Sequence, residues 1–533
     1  MTRLIFVTLS IACTAGIASP ASAQRTRVSP YIEASQVVAA DLNGGDVLTY
    51  STVAVGVDAS VHTRRIEVQG SYKYERRFDY QKPLSKDDMH SGLVRAKAAL
   101  APGFSIEAGG IATRTRSDNR GDALLTSQGN TRNSAQVYSA YVGPNLASRI
   151  GPLFANAAYR FGYTKVEAPG ATGVAPGQPR LDAYDDSTVH VATASLGVKS
   201  GTVLPIGVTA SASYTREDAG QLDQRYEGKF GRVDAVLPIA RGFAIGGGIG
   251  YEKIQIRQRD AVRDAANNPV VDANGRFVTN PASPRRLAYN IDGMFWDAGV
   301  IWKPSRRTFL EARVGRRYNS MSYTGSLSFQ PSPGSGAQIG VYDSVQTFGQ
   351  QLNGSLSALP TSFVTTTDPF GNQYGGCVYG TVGSAAGGCL NNVFSSAATS
   401  AYRSRGATAV AVSRIGRSRV GMGFGYARRD FIAPTGTPGF TVNGVSDQSL
   451  YGNVFASTEM GRNGSLSGSA FGSYATTDIP GNDGVIGWGA NTAYTHRFGP
   501  LGATLSAGVF GFENQSNGSS AAAQALLGLR YGF

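Results

Sequence analysis

The sequence predicts an all-β fold: a transmembrane, antiparallel up-and-down β-barrel of about 20 strands with a short helix in one long loop. Three observations point there. Apolar and polar residues alternate with strand period along the whole chain, short connections alternate with long ones, and the chain stops on an aromatic side chain in "LLGLRYGF".

The alternation comes first because it defines the wall. In "STVAVGVDASVHTRRIEVQGSYKYERRFDY", Val53, Val55, Val57, Ala59 and Val61 share one face of a strand, and Ile66, Val68, Tyr72 and Tyr74 share one face of the next. Side chains of a strand point alternately to its two faces, so one face is apolar and the other polar. Runs of this length match the roughly 9 to 11 residues that cross a bilayer at a tilt, with an extension outside. After residue 24 no apolar stretch approaches the roughly 18 residues of a spanning helix.

Connection lengths give the orientation. Tight links at Thr63-Arg64, Ala101-Pro102, Pro238 to Arg241 and Gly499-Pro500 alternate with polar stretches such as Ser117 to Ala135, Val166 to Asp186 and Gln258 to Gly293. Short turns on the periplasmic side and long loops outside are the pattern of an outer-membrane barrel. The rule counts twenty strands, with 18 the next count. The thirteenth starts near Thr308 and the fourteenth near Arg405. At the C-terminus Leu527, Leu529, Tyr531 and Phe533 alternate with Gly528, Arg530 and Gly532, a last strand that would pair with the first and leave no free edge.

The opening "MTRLIFVTLSIACTAGIASPASAQ" has a basic start, a short apolar stretch and Ala21-Ser22-Ala23, the parts of a cleaved secretory signal over 1–23. The barrel then occupies 24–533. Composition agrees with a wall of strands: 69 Gly, 25 Tyr and 24 Phe against 3 Trp and 3 Cys, with 16% charged residues. Lys and Arg number 49 and Asp and Glu 36; the leader removes only Arg3, so the mature net charge is +12. A basic balance points to an anionic partner. For a secreted chain that means lipopolysaccharide or an acidic polysaccharide. No basic cluster with interleaved aromatics suits nucleic acid.

Two stretches stand out. From Gln330 to Ser404 runs a loop of about 75 residues, a length that is usually functional or disordered. Within it Val341, Val345, Phe348, Leu352 and Leu356 share one helical face, and Pro360 ends the run. Such a helix either folds into the lumen as a gate or caps the outer rim. Cys377 and Cys389, close together in a Gly-rich stretch of a secreted chain, predict a disulfide. Two sulfurs without a nearby His supply too few ligands for a metal.

The second stretch is "TFLEARVGRRYNSMSYTGSLSF". With Leu310, Ala312 and Val314 facing lipid, Glu311, Arg313 and Arg317 face the lumen, as do Lys73, Glu75 and Arg77 on an earlier strand. Lumenal Arg and Lys favour anions. The alternative is an internal ion-pair network stiffening the wall.

Here the sequence resembles a known group. "EARVGRRYNSMSYTGSLSF" followed by "VYDSVQTFG" is similar to a family of bacterial outer-membrane, porin-like barrels associated with exopolysaccharide loci, including those that accompany the exosortase (PEP-CTERM) protein-sorting system. The resemblance is sharpest over Thr308 to Gly349. It implies a role in export or surface retention of polysaccharide, with periplasmic export components as partners, and it supplies no catalytic residues. The terminal Gly528, Tyr531 and Phe533 resemble the signal read by the barrel-assembly machinery, with Leu526 where a large polar residue is usual.

Catalytic chemistry has little to stand on. Of four histidines, His62 and His496 sit near tight turns, while His90, beside Asp87 and Asp88, and His190, near Asp185 and Asp186, lie toward the outer rim. Neither H-E-x-x-H nor a phosphate-binding loop is present, and "GGGIGY" at Gly246 lies inside a strand. No plug domain is expected before the barrel, which disfavours a large energy-coupled transporter. The expectation is a non-enzymatic barrel without cofactor, acting as conduit or anchor for an acidic exopolysaccharide. An anion-preferring diffusion porin is the alternative, and a rim hydrolase using His90 or His190 a third.

Overall fold

The structure, a computed structural model, describes residues 25–45, 47–80, 88–116, 134–167, 182–332, 334–365, 369–370, 376–381, 386–394, 397–434, 443–478, 484–514 and 518–533. The leader 1–23 lies outside the described residues. The first strands of the wall are β1 (Arg25–Asp41), β2 (Val47–His62), β3 (Ile66–Asp79), β4 (Asp88–Ala101), β5 (Phe104–Arg116), β6 (Ser134–Ile150), β7 (Leu153–Glu167) and β8 (Asp186–Val198). The wall continues with β9 (Gly207–Ala219), β10 (Arg225–Ala240), β11 (Phe243–Gln258), β12 (Arg286–Ser305), β13 (Thr308–Arg317), β14 (Ser320–Ser332) and β15 (Ser335–Gln346). An inserted segment follows, with helix α1 (Phe348–Ala358) and three short strands, β16 (Phe363–Thr365), β17 (Cys377–Gly380) and β18 (Gly387–Cys389). The wall then resumes with β19 (Ala401–Ile415), β20 (Ser418–Ile432), β21 (Ser446–Met460), β22 (Gly464–Thr477), β23 (Val485–Phe498), β24 (Leu501–Asn514) and β25 (Gly518–Gly532).

The 22 wall strands form one antiparallel sheet in which each pairs with its neighbour in sequence. β1 also pairs with β25, from Tyr31 opposite Gly532 to Asp41 opposite Ala522, and the Phe533 N–H donates to the Pro30 carbonyl at 3.0 Å. The ladder therefore runs round as a ring. A 13-residue strand is about 43 Å long and, tilted near 45°, rises about 30 Å, the thickness of a hydrocarbon layer.

Parity along each strand separates the faces. On β2, Val53 and Val55 are 48% and 49% exposed while Tyr50 and Ala54 are buried, so the valines point outward and the alternate residues into the lumen. The outward face is apolar around the whole ring, and exposed aromatics cluster toward both ends: Tyr163, Tyr323, Tyr474 and Trp488 toward the long-loop end, Trp302, Phe329, Tyr494 and Phe498 toward the tight-turn end. At the tight-turn end Gly242 and Gly499 take φ of +79° and +65°, the left-handed conformation that two-residue hairpin turns require.

The ring has two strands more than the twenty expected. The additional pair is β14 and β15, which lie where the sequence predicts the rest of the thirteenth strand and the start of the long loop. Its first turn hid because Tyr318 and Asn319 both adopt positive φ, 53° and 58°, without a glycine to mark them. The helical reading of Val341 and Val345 is corrected for a related reason. Both lie on β15, where residues four apart also share a face, so that spacing cannot separate strand from helix. Phe348, Leu352 and Leu356 do lie on α1, and all three are buried. The long loop between wall strands accordingly shrinks from 330–404 to 347–400.

The position of β14 and β15 is testable. Asn319→Cys should label with a membrane-impermeant maleimide from the long-loop side and Ser332→Cys from the opposite side. Labelling of both from one side would contradict the 22-strand ring.

Candidate functional site: the segment that fills the lumen

The segment 347–400 begins at the long-loop rim and enters the ring. Thr347 caps α1, its hydroxyl accepting from the Gln350 N–H at 3.2 Å, and it also hydrogen-bonds the buried Glu217 carboxylate of β9. Glu217 accepts as well from the Tyr184 hydroxyl at 3.2 Å. Gly349 passes so close to this cluster that a Cβ would lie 2.5 Å from both the Ser187 Oγ and the Tyr184 hydroxyl.

α1 lies against the inner faces of β5 to β8. Phe348, Leu352 and Leu356 join Leu93, Ile111, Val137 and Val166 of the wall in the largest apolar cluster among the described residues. Asn353 donates to the Thr164 hydroxyl and to the Gly349 carbonyl, each at 3.0 Å. It packs over Gly162, where a Cβ would meet its Oδ1 at 2.3 Å. At the helix end Arg95 of β4 donates to the carbonyls of Ser357 and Leu359 at 3.0 and 3.1 Å. These carbonyls have no partner within the helix, and a cation at this end also suits the helix dipole.

Beyond Pro360 the segment descends. The Thr361 hydroxyl donates to Glu67 at 2.7 Å, and Phe363 exchanges backbone hydrogen bonds with the Gln69 carboxamide. Glu67 and Gln69 are the second and fourth residues of β3, directly after a tight turn, so the chain has crossed most of the lumen's depth. It then crosses to the far wall. Phe370 meets Phe510 of β24, and Tyr379 meets Phe455 and the Asn453 Oδ1 of β21, the latter at 3.2 Å. Cys377 and Cys389 stand opposite each other on β17 and β18 and are joined by a disulfide. The return path is tied at the rim, where the Thr115 hydroxyl donates to the Phe394 carbonyl at 2.6 Å and Ala398 bridges to Ala183. The segment is thus a plug inserted between wall strands, lodged inside rather than capping the rim.

The basic residues singled out in the sequence face the lumen, and carboxylates hold them. Lys73 and Arg77 clamp Glu75 at 2.9 and 3.2 Å, all three being buried, and Arg77 also stacks on Tyr50. Arg313 reaches Glu311, Asp297 and Asp234 at 2.5, 2.8 and 2.9 Å. Arg232 completes that lattice by binding Asp234 and Asp297 at 2.5 and 2.6 Å. Arg317 pairs with Glu252 at 2.7 Å. Of the two readings of these residues, the geometry builds the ion-pair network in the wall rather than a ring of bare cations.

His90 and His190 lie on the outward face, and each takes a tyrosine: Tyr72 to His90 at 2.6 Å and Tyr159 to His190 at 2.8 Å. Asp88 and Asp186 instead accept from Tyr74 and Tyr163. Tyr531 and Phe533 point outward, their rings 5.1 Å apart, while Gly528 faces the lumen beside Ser35. Sequence reasoning missed Arg95, Gly162, Glu217 and Thr347, which hold the plug. Charged residues at lumenal parity within "LVRAKAAL" and "YTREDA" were the available signal.

No family model matches the sequence, and no curated protein matches it. Solved structures that align with it include the ferric-catecholate import receptor Fiu of E. coli K12, at 11% identity and TM-score 0.43 over 95% of this chain and 81% of that one. The FrpB iron transporter of Neisseria meningitidis aligns at 11% identity and TM-score 0.39, over 95% and 81%. OccK3 of Pseudomonas aeruginosa aligns at 8% identity and TM-score 0.27, over 95% and 96%. Likeness at this level carries no argument about cargo.

Replacing Gly162 tests the docking of α1. Gly162→Val should displace Asn353 and loosen the helix, so that limited proteolysis cuts within 347–362 while the barrel keeps its heat-modifiable gel mobility. An unchanged cleavage pattern would show that the helix is not seated on β7.

Proposed function

We propose that this chain is an outer-membrane barrel, matured by loss of 1–23, that serves as a plugged conduit or anchor for an acidic exopolysaccharide. The observation that supports it most is the combination of an outward face that is apolar all round with a lumen spanned in depth by the chain's own 347–400 segment. An apolar exterior needs a hydrocarbon surrounding, and a plug held by side-chain hydrogen bonds can be released without breaking the wall. The polysaccharide cargo comes from the sequence resemblance over Thr308 to Gly349. Lipopolysaccharide, the barrel-assembly machinery and periplasmic export components are the partners this reading implies, with Gly528, Tyr531 and Phe533 as the assembly signal. A simple anion-diffusion pore is less well supported, because Lys73, Arg77, Arg313 and Arg317 are all engaged by carboxylates.

Single-channel conductance of the refolded protein tests the reading. The intact chain should be silent or show small steps, and a chain with 348–399 replaced by a short Gly-Ser linker should give large, stable ones. The Cys377→Ser, Cys389→Ser double variant should fall between, since closing a loop this short constrains it by about 3 kcal/mol. Silence in all three would remove the conduit and leave an anchor. In the source bacterium, loss of the gene should reduce surface polysaccharide; unchanged polysaccharide would overturn the cargo assignment.

A further inference from the structure

Below the plug, on the side of β4 to β10, the lumen wall holds a cavity of about 580 Å³. That is within the size range of small-ligand sites, roughly 300 to 1,000 Å³. Its inward side chains include the hydroxyls and carboxamides of Ser105, Asn145, Asn156, Ser195, Ser211 and Ser213, set among the small Ala147 and Ala158, with the ring of Phe230 at one edge. Across the ladder Ser105 stands opposite Asn145, Asn156 opposite Ser195, Ser195 opposite Ser211 and Ser213 opposite Phe230, while Asn145 faces Ala158 and Asn156 faces Ala147, so the polar groups alternate with small apolar ones. Such a surface both donates and accepts, and an aromatic edge beside it offers an apolar plate. This is the chemistry that a sugar ring, with hydroxyls around an apolar C–H face, can satisfy.

Charge decides which sugar. Going up β7 from the cavity, the inward residues are Asn156, Ala158, Arg160 and then Gly162, where α1 sits. One step of two residues is about 6.8 Å. Arg160 therefore lies between cavity and plug. On β4 the same step leads from Lys97, at the cavity, to Arg95, under the helix end. Arg95 and Arg160 both stack on Tyr141, with 5.3 and 5.4 Å to its ring centre. Glu107 lines the cavity; it pairs with Lys97 at 3.4 Å and touches Arg95 at 4.0 Å. Three cations thus face two carboxylates, Glu107 and Glu67, the latter standing opposite Lys97 on β3, and among the described residues Arg160 has no ion-pair partner. The surplus contrasts with the lattice around Arg313, where two arginines meet three carboxylates.

We infer that this cavity binds an acidic oligosaccharide, its hydroxyls against the Ser and Asn wall and its carboxylate against Arg160 and Lys97 beneath the plug. The inference rests on the reading of the lumen as a path for acidic polysaccharide, and it adds to it a binding site with named residues.

Calorimetry on the full refolded chain in detergent tests it, with trigalacturonate, monomeric galacturonate and maltotriose as probes. Trigalacturonate should bind at least tenfold more tightly than maltotriose and than the monomer. Arg160→Gln and Lys97→Gln should each weaken it about tenfold, the loss of one charge-assisted hydrogen bond, while Arg160→Lys retains most of the affinity. Equal binding of maltotriose, equal binding of the monomer, or undiminished binding in Arg160→Gln would overturn the site. Conductance is read separately. A barrel that conducts after plug removal but does not bind trigalacturonate loses this inference alone, and one that binds but stays silent loses the conduit alone.

Discussion

The pairing of β1 with β25 is the constraint on which the rest depends. A sheet whose outward face is apolar has no solvent there to satisfy an unpaired backbone, and each buried orphan N–H or C=O costs several kcal/mol. An open edge along β1 would expose such a row of groups. The register from Tyr31–Gly532 to Asp41–Ala522, finished by the Phe533 N–H on the Pro30 carbonyl, removes it. Phe533 is therefore part of the wall.

Joining 22 strands in one ring has a second consequence. Diameter grows with strand number, and a ring this wide leaves more space than the inward side chains fill. The segment 347–400 occupies part of that space. It places the largest apolar cluster among the described residues inside the ring, between α1 and the inner faces of β4 to β7. Its attachments are side-chain hydrogen bonds on several strands, from Glu67 and Arg95 to Glu217 and Asn453. Each is worth about 1 kcal/mol net, so the plug is held by many modest ties rather than by one strong one.

Charge inside the ring is handled in two ways. Where Arg232 and Arg313 share Asp234 and Asp297, a cation and a carboxylate always meet, which is how buried charge is tolerated. Beneath the plug, Arg95 and Lys97 contact Glu107, Glu67 stands opposite Lys97, and among the described residues Arg160 has no ion-pair partner. The chain's net positive charge is therefore not spread evenly through the lumen.

The sequence by itself determined the wall. Alternation in Val53 to Val61 assigns faces, tight and long connections assign ends, and the period-two run from Leu527 to Phe533 reads as a strand, all from neighbours a few residues apart. It misjudged β14 and β15 because Tyr318 and Asn319 turn the chain without a glycine, and it put Val341 and Val345 on a helix because a spacing of four serves both periods. Only the tertiary structure decided where the long segment goes and which charges find partners. Thr347 meets Glu217 across 130 residues and Arg95 meets Leu359 across 264. Parity tells each of these residues to face the lumen, but the partner it meets there is set by the curvature of the closed ring, which no local period encodes.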